Sequence, residues 1–374
     1  MKQNKLPGRQ SKAYNILSLI AISGELPKDQ INRLSGGCEY KKDIIKDFKQ
    51  KKLITTYYND KLRGYRLTAT GKNALLAENR ERFEPFFAGN TETNHPKYEI
   101  KRRLRVKSIA ETFVIMQNAD VAIYKDKKPD IFYPKDEPKR ILSVTTLVFY
   151  NSREMKIYGA EFAQIRGARS VGVLLTKSKI FAVYNTSGSL MKWDNRSEVK
   201  TKTLLESILG VERLPYQYQK SDIQGLMLGD SMEQVYQLLT SQTGPKRKNF
   251  TLDDTYKKFI YLPNDRNGEM VLKLLCDDEK TKELNYILSQ GLNNHKPGMF
   301  AENDAVDENG NAVLFAYDCD MQRIVRFNFA LETYNRKGTL ICFDFQADVL
   351  KRYCCDNVTF KIINIDDLER RFFP

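Results

Sequence analysis

Residues 51–76 read KKLITTYYNDKLRGYRLTATGKNALL. Leu53 to Tyr58 is rich in β-branched and aromatic residues, and Gly64-Tyr65-Arg66-Leu67-Thr68 is a second run of the same kind. Asn59-Asp60-Lys61 between them has turn chemistry, so the two runs predict a hairpin. Thr70-Gly71-Lys72-Asn73-Ala74-Leu75-Leu76 predicts a helix that follows at once. Working back from the hairpin, Glu39 to Lys51 is amphipathic: Tyr40, Ile44, Ile45 and Phe48 recur at helical spacing, and Lys42, Lys46 and Lys49 line another face beside Lys41. Ser35-Gly36-Gly37 is a turn, preceded by a short helix with Pro27 near its start and Ile31 and Leu34 facing inward. Ala13 to Ser23 carries Ile16, Leu17, Leu19, Ile20 and Ile22, which predicts a mostly buried first helix closed by Gly24.

A short second helix, a glycine turn and a basic third helix follow the helix-turn-helix order. The hairpin and the Tyr65-x-Leu67-Thr68-x-x-Gly71 ending resemble the wing of winged-helix DNA-binding domains. That resemblance covers about the first eighty residues and implies binding to duplex DNA. Lysines of the third helix would neutralise phosphates, which gives affinity without sequence information. Glu39, Lys41 and Lys42 are the candidates for reading bases; Lys46 and Lys49 extend the phosphate stripe. Lys61, Arg63 and Arg66 on the wing are placed to reach an adjacent groove or the backbone. A solvated helix face is the plainer use of any one of these cations.

Charge distribution supports the patch. The 374-residue chain has a formal net charge of +14. Residues 1–110 hold 24 Lys and Arg against 11 Asp and Glu, whereas residues 111–374 hold 37 against 36. Excess positive charge confined to one region is the footprint of a polyanion partner.

Asn79 to Pro96, with Pro85, Gly89 and Pro96, reads as a linker. The division expected is 1–80 for the winged helix-turn-helix, 81–100 for the linker, 101–210 for a central α/β domain and 211–374 for a C-terminal α/β domain. Lys101, Arg102, Arg103, Arg105 and Lys107 lead a helix whose apolar face is Ile109, Phe113 and Met116. This cluster, Arg102, Arg103 and Arg105 above all, would extend the DNA contact. Further on, Val171 to Leu175 and Ile180 to Thr186 read as a hairpin around Lys177-Ser178-Lys179, after an apolar run at Ile141–Tyr150. Ser231 to Ser241 reads as a helix. Met270–Cys276, Thr339–Phe345 and Val358–Asn364 read as strands, and Asp366-Asp367-Leu368-Glu369 as a helix start.

The order of the winged helix, "RRLRVKSIAETFVIMQNADV", "KPDIF" and "GARSVGVLLTKSKIFAVYNT" resembles the replication-relaxation family over about residues 10–190. That family comprises accessory DNA-binding factors of plasmid and conjugative-transposon mobilisation. The resemblance implies a multidomain α/β protein whose central domain is similar to a restriction-endonuclease-like core, with a relaxase or replication protein as partner. Nuclease chemistry in such a core needs Pro-Asp and then Asp/Glu-x-Lys to hold Mg²⁺ and activate water. Pro129-Asp130 matches the first element; Glu161 is the candidate for the second, but Phe162-Ala163 follows it and the lysine is missing. The expectation is therefore an accessory protein without catalytic activity, with Asp130 and Glu161 as degenerate candidates. A transcriptional regulator with a sensing α/β part and an active Mg²⁺-dependent nuclease are the alternatives.

Other classes lack their residues. Two histidines, His95 and His295, do not make a metal site of the two-histidine relaxase kind or a zinc finger. GxxxxGK[ST], GxSxG and HExxH are absent from the sequence, and no cofactor is expected. Asp307-Glu308-Asn309-Gly310 and Asp318-Cys319-Asp320 miss the spacing of a calcium loop and read as loop residues. Six scattered cysteines, no apolar run of eighteen residues and a polar N-terminus predict a cytoplasmic protein without a membrane span.

Overall fold

Ser11 opens α1 (Lys12–Ser23) by accepting the Tyr14 N–H on its hydroxyl, and Gly24, at φ +82°, closes it with an N–H donated to the Ile20 carbonyl. Nine of the twelve residues of α1 are buried, so it is a core helix. In this computed structural model the described residues are 6–87, 99–134, 143–159, 165, 168–218, 223–241, 249–294 and 302–374. The chain divides into two compact units, Met1–Asp130 and Ile131–Pro374.

In the first unit, α1 leads to β1 (Leu26–Pro27), α2 (Lys28–Arg33), α3 (Cys38–Gln50), β2 (Ile54–Asn59) and β3 (Leu62–Leu67). The strands form one antiparallel sheet in the order β1-β3-β2. Asn59 pairs with Leu62 across a two-residue turn, in which Asp60 and Lys61 both have positive φ (50° and 63°). This turn twists the way a hairpin needs. Thr68 caps α4 (Ala69–Glu78), and Gly71 meets β2's approach so closely that a Cβ there would stand 2.2 Å from the Leu53 carbonyl oxygen. The Thr-x-x-Gly of the sequence is thus a cap and a close approach.

Residues 81–87 of the expected linker are helical. α5 (Arg80–Phe87) packs on α1 with Phe83 and Phe86 buried, and Pro85 lies within it. Residues 88–98 lie outside the described residues. α6 (Glu99–Asn118) also packs on α1, so the breaks expected near residues 80 and 100 give way to a unit that runs to Asp130. Apolar faces on α5 and α6 that pack on α1 and its neighbours explain the difference.

The second unit begins with β4 (Val148–Asn151), α7 (Ser152–Met155), β5 (Gly172–Leu175) and β6 (Ile180–Ser187). Next come α8 (Asn195–Ser207), which continues into a π-helical turn, then β7 (Ile223–Gly229), α9 (Glu233–Leu239) and β8 (Phe259–Pro263). These strands make a sheet in the order β4-β5-β6-β7-β8, with only β5 running against the rest. After α10 (Arg266–Cys276) and α11 (Asp278–Ser289) the plan repeats. β9 (Asn293–Asn294), β10 (Ala305–Val306), β11 (Ala312–Phe315), α12 (Met321–Thr333), β12 (Gly338–Phe343), α13 (Asp344–Tyr353) and β13 (Val358–Ile363) follow, and α14 (Ile365–Phe372) ends the chain. The second sheet is again ordered by sequence, β9 to β13, and only its second strand, β10, runs against the others. Both sheets fall within the unit Ile131–Pro374, and the repeat lies in strand order and sense.

Two readings are corrected here. Met270–Cys276 is the body of α10, because Asp265 caps a helix four residues upstream by accepting the Gly268 N–H at 3.0 Å. A seven-residue apolar run suits a buried helix as well as a strand. Thr339–Phe345 is a strand only to Phe343, where α13 begins.

Glu198 on α8 is fully buried and accepts from the Tyr184 hydroxyl at 2.8 Å and the Arg169 N–H at 2.7 Å. Burial pushes its carboxyl up from about 4.5 to about 7. The unfolded chain gives up this proton near pH 4.5 and the folded chain holds it to about pH 7. The stability it contributes is therefore complete below pH 4.5 and is lost as pH rises through that window. Glu198→Gln should gain stability over the parent progressively between pH 5 and 7.5, read as the shift in urea midpoint. Parallel pH profiles would show that Glu198 is not protonated in the fold.

Candidate nucleic-acid interface

α3 turns two chemistries to two sides. Ile44, Ile45 and Phe48 are buried, while Glu39, Lys42, Lys46 and Lys49 are exposed, with Tyr40 half-exposed beside them. Lys42 donates to Glu39 at 2.6 Å; an ion pair this exposed opens at little cost to a competing phosphate. Lys49 lies 5.4 Å from the centre of the Tyr65 ring. On the hairpin, Lys61 and Arg63 are exposed at and beside the turn, and on α6 Arg105 is exposed and Arg102 half-buried. A groove of about 220 Å³ runs between the hairpin turn and α6, with Lys61, Arg63 and Lys107 among its walls.

Three of the expected contacts are withdrawn. Lys41 is buried, and its ammonium donates to the Asn32 and Leu34 carbonyls at 2.9 and 2.8 Å. It helps to satisfy the carbonyls at the carboxyl end of α2, together with the Asn118 amide, which donates to the Arg33 carbonyl at 3.2 Å. Arg66 and Arg103 are buried on the two oxygens of Glu25. Arg66 Nε donates to Oε2 at 2.8 Å and Arg103 Nη2 to Oε1 at 2.7 Å. Arg103 also donates to the Asn59 and Leu62 carbonyls at 2.8 and 2.9 Å, and both guanidiniums stack on Tyr57, 3.9 and 4.7 Å from its centre. A Cβ at Gly64 would fall 2.3 Å from Glu25 Oε1, so glycine is what makes room for the carboxylate. No sequence signal separates these arginines from exposed ones; their partner is Glu25, 41 and 78 residues away.

The nuclease candidates are only half visible. Asp130 is exposed in irregular chain at the end of the first unit, and Glu161 lies outside the described residues. β5 and β6, GVLL and IFAVYNTS, carry neither Asp, Glu nor Lys. Among the described residues, no three or more His, Cys, Asp and Glu stand together so as to hold a metal ion. No helix among them is long and apolar enough to cross a membrane.

What sequence reading missed is Asp318-Cys319-Asp320. They lie in a turn after β11, as loop residues do, but the two carboxyls are only 9% and 1% exposed, a burial the sequence reading did not foresee. The available signal was an acidic pair inside the apolar run VLFAYDCDM.

Glu25→Ala should cost the first unit about 3–5 kcal/mol, since it leaves two buried guanidiniums without their anion. Urea unfolding measures this; a loss under 1 kcal/mol would mean that the arginines find water instead. No protein-family model, curated protein or solved structure matches the chain.

Proposed function

We propose that this chain is a double-stranded DNA-binding accessory protein that acts at a transfer or replication origin together with a relaxase or replication initiator. Its first unit works as a winged helix-turn-helix. α3 enters the major groove with Glu39 and Lys42 toward base edges and Lys46 and Lys49 toward phosphates. Lys61 and Arg63 on the hairpin, and Arg102 and Arg105 on α6, hold the flanking backbone. Its second unit serves as a platform for the protein partner, and the first of its sheets is the part similar to a restriction-endonuclease-like core.

The single observation that carries this reading is the outward lysine face of α3. Its four neighbours in the sequence pattern divide cleanly, since Lys41 turns inward to carbonyls while Lys42, Lys46 and Lys49 stay in solvent. Support for the mobile-element setting is the motif order in residues 10–190. An accessory role is favoured over cleavage because Phe162-Ala163 follows Glu161, so the lysine of the nuclease pattern is missing.

Duplexes tiled across the host element, assayed at two salt concentrations with and without Mg²⁺, test the proposal. One origin-proximal duplex should bind tightly and stay intact. Lys46→Ala with Lys49→Ala should weaken binding and flatten the plot of log K against log salt by about 2, one unit for each lost phosphate contact. Mg²⁺-dependent cutting would replace this reading with a nuclease, preference for a promoter operator would replace it with a regulator, and salt-independent binding would end it.

A further inference from the structure

A cavity of about 130 Å³ lies in the second unit, where the carboxyl end of β11 faces the amino ends of β6, β7 and β8. The carboxyl end of a strand in an open α/β sheet is the usual place for a ligand crevice. One part of the wall is apolar, formed by Phe181, Ile260, Leu275 and Phe315. The rest is polar, and its charges are not all matched. Arg323 is taken up by Asp304 at 2.8 Å and Glu302 at 3.0 Å, and Lys179 by Asp278 at 2.7 Å. Asp318 and Lys258 remain.

Asp318 is nine-tenths buried and lines the cavity, yet its carboxylate accepts a single hydrogen bond among the described residues, from the Asp320 N–H at 3.2 Å. The Asp318 oxygen that takes no hydrogen bond is not sealed in the core, so it is open to the cavity and to a cation that enters it. Its carboxyl is pushed up by burial and pulled back by Lys258 and Arg323, so cations already act on it without touching it. Lys258, exposed at the mouth, has no ion-pair partner among the described residues. Gln224 and Asn285 add amide groups; Asn285 uses its oxygen to accept from the Tyr317 hydroxyl at 2.8 Å, which leaves its N–H₂ to donate.

We infer that this cavity binds a small zwitterion of the α-amino-acid type, with its ammonium on Asp318, its carboxylate on Lys258 and the neighbouring amides, and its side chain against Phe181 and Ile260. The cavity, about 130 Å³, is small, which favours a small ligand over a large one. A metal ion fits worse, because Lys258 and Arg323 border the same space. The inference stands apart from DNA binding, since every wall residue belongs to the second unit.

The test is calorimetric titration of the full chain with each of the twenty common L-amino acids, and with ethanolamine, acetate and inorganic phosphate as controls. At least one amino acid should bind, while ethanolamine, acetate and phosphate should not. Asp318→Asn should weaken that binding about 10- to 100-fold, and so should Lys258→Ala, an exposed change that spares the core. Loss in Lys258→Ala, with an unchanged thermal midpoint, keeps the test valid if Asp318→Asn fails to fold. Failure of every amino acid to bind, or equal binding by acetate or phosphate, overturns the inference. So does full affinity in Lys258→Ala. DNA affinity of Lys258→Ala, measured in parallel, should equal that of the parent.

Discussion

One buried carboxylate organises the first unit. Glu25 follows the glycine that ends α1 and is held between two guanidiniums, one from β3 and one from α6. Buried charges survive only when paired and hydrogen-bonded, so this contact fixes three separate pieces of chain at once. Arg103 then reaches the carbonyls on either side of the hairpin turn, so the hairpin's angle to α6 is set by hydrogen bonds as well as packing. The glycine at position 64 belongs to the same constraint, because any side chain there would occupy the carboxylate's place.

That constraint changes how the positive charge is read. A cluster such as Lys101 to Lys107 looks uniform in sequence, yet Arg103 neutralises the interior, Lys107 pairs with Glu111 at 2.9 Å, and Arg105 faces solvent. α3 divides its lysines similarly. The cations on α3 and the hairpin that stay outward are the ones the proposed DNA contact would use, and those turned inward tie neighbouring elements of the unit together.

The second unit is held differently, by the strands β4 to β8, β11 and β12, which are buried along nearly their whole length, and by a polar network within them. Trp193, Phe250 and Phe259 pack edge to face at 4.9 to 6.0 Å, next to the Tyr184–Tyr256 hydroxyl pair that leads to Glu198. The same strand order in both sheets means that each half solves its packing with one plan: a short meander, then two parallel strands entered from helices. β8 also meets the second half directly, where Tyr261 N–H donates to the Cys319 carbonyl at 3.2 Å.

Sequence alone determined the elements whose signals are local. Helical spacing placed α1 and α3, turn residues between β-rich runs placed the β2–β3 and β5–β6 hairpins, and the Thr-x-x-Gly after the first hairpin placed α4. It also located the positive charge in the first third of the chain. Only the tertiary structure decided which cations are spent inside, because burial and pairing depend on residues such as Glu25 that are distant in sequence. It likewise settled that Pro85 sits in a packed helix, that Met270–Cys276 is helical under its Asp265 cap, and that Asp318 and Asp320 are buried. A periodicity reports which face of an element is apolar. What that face, or a charge beside it, will meet is fixed only when the elements come together.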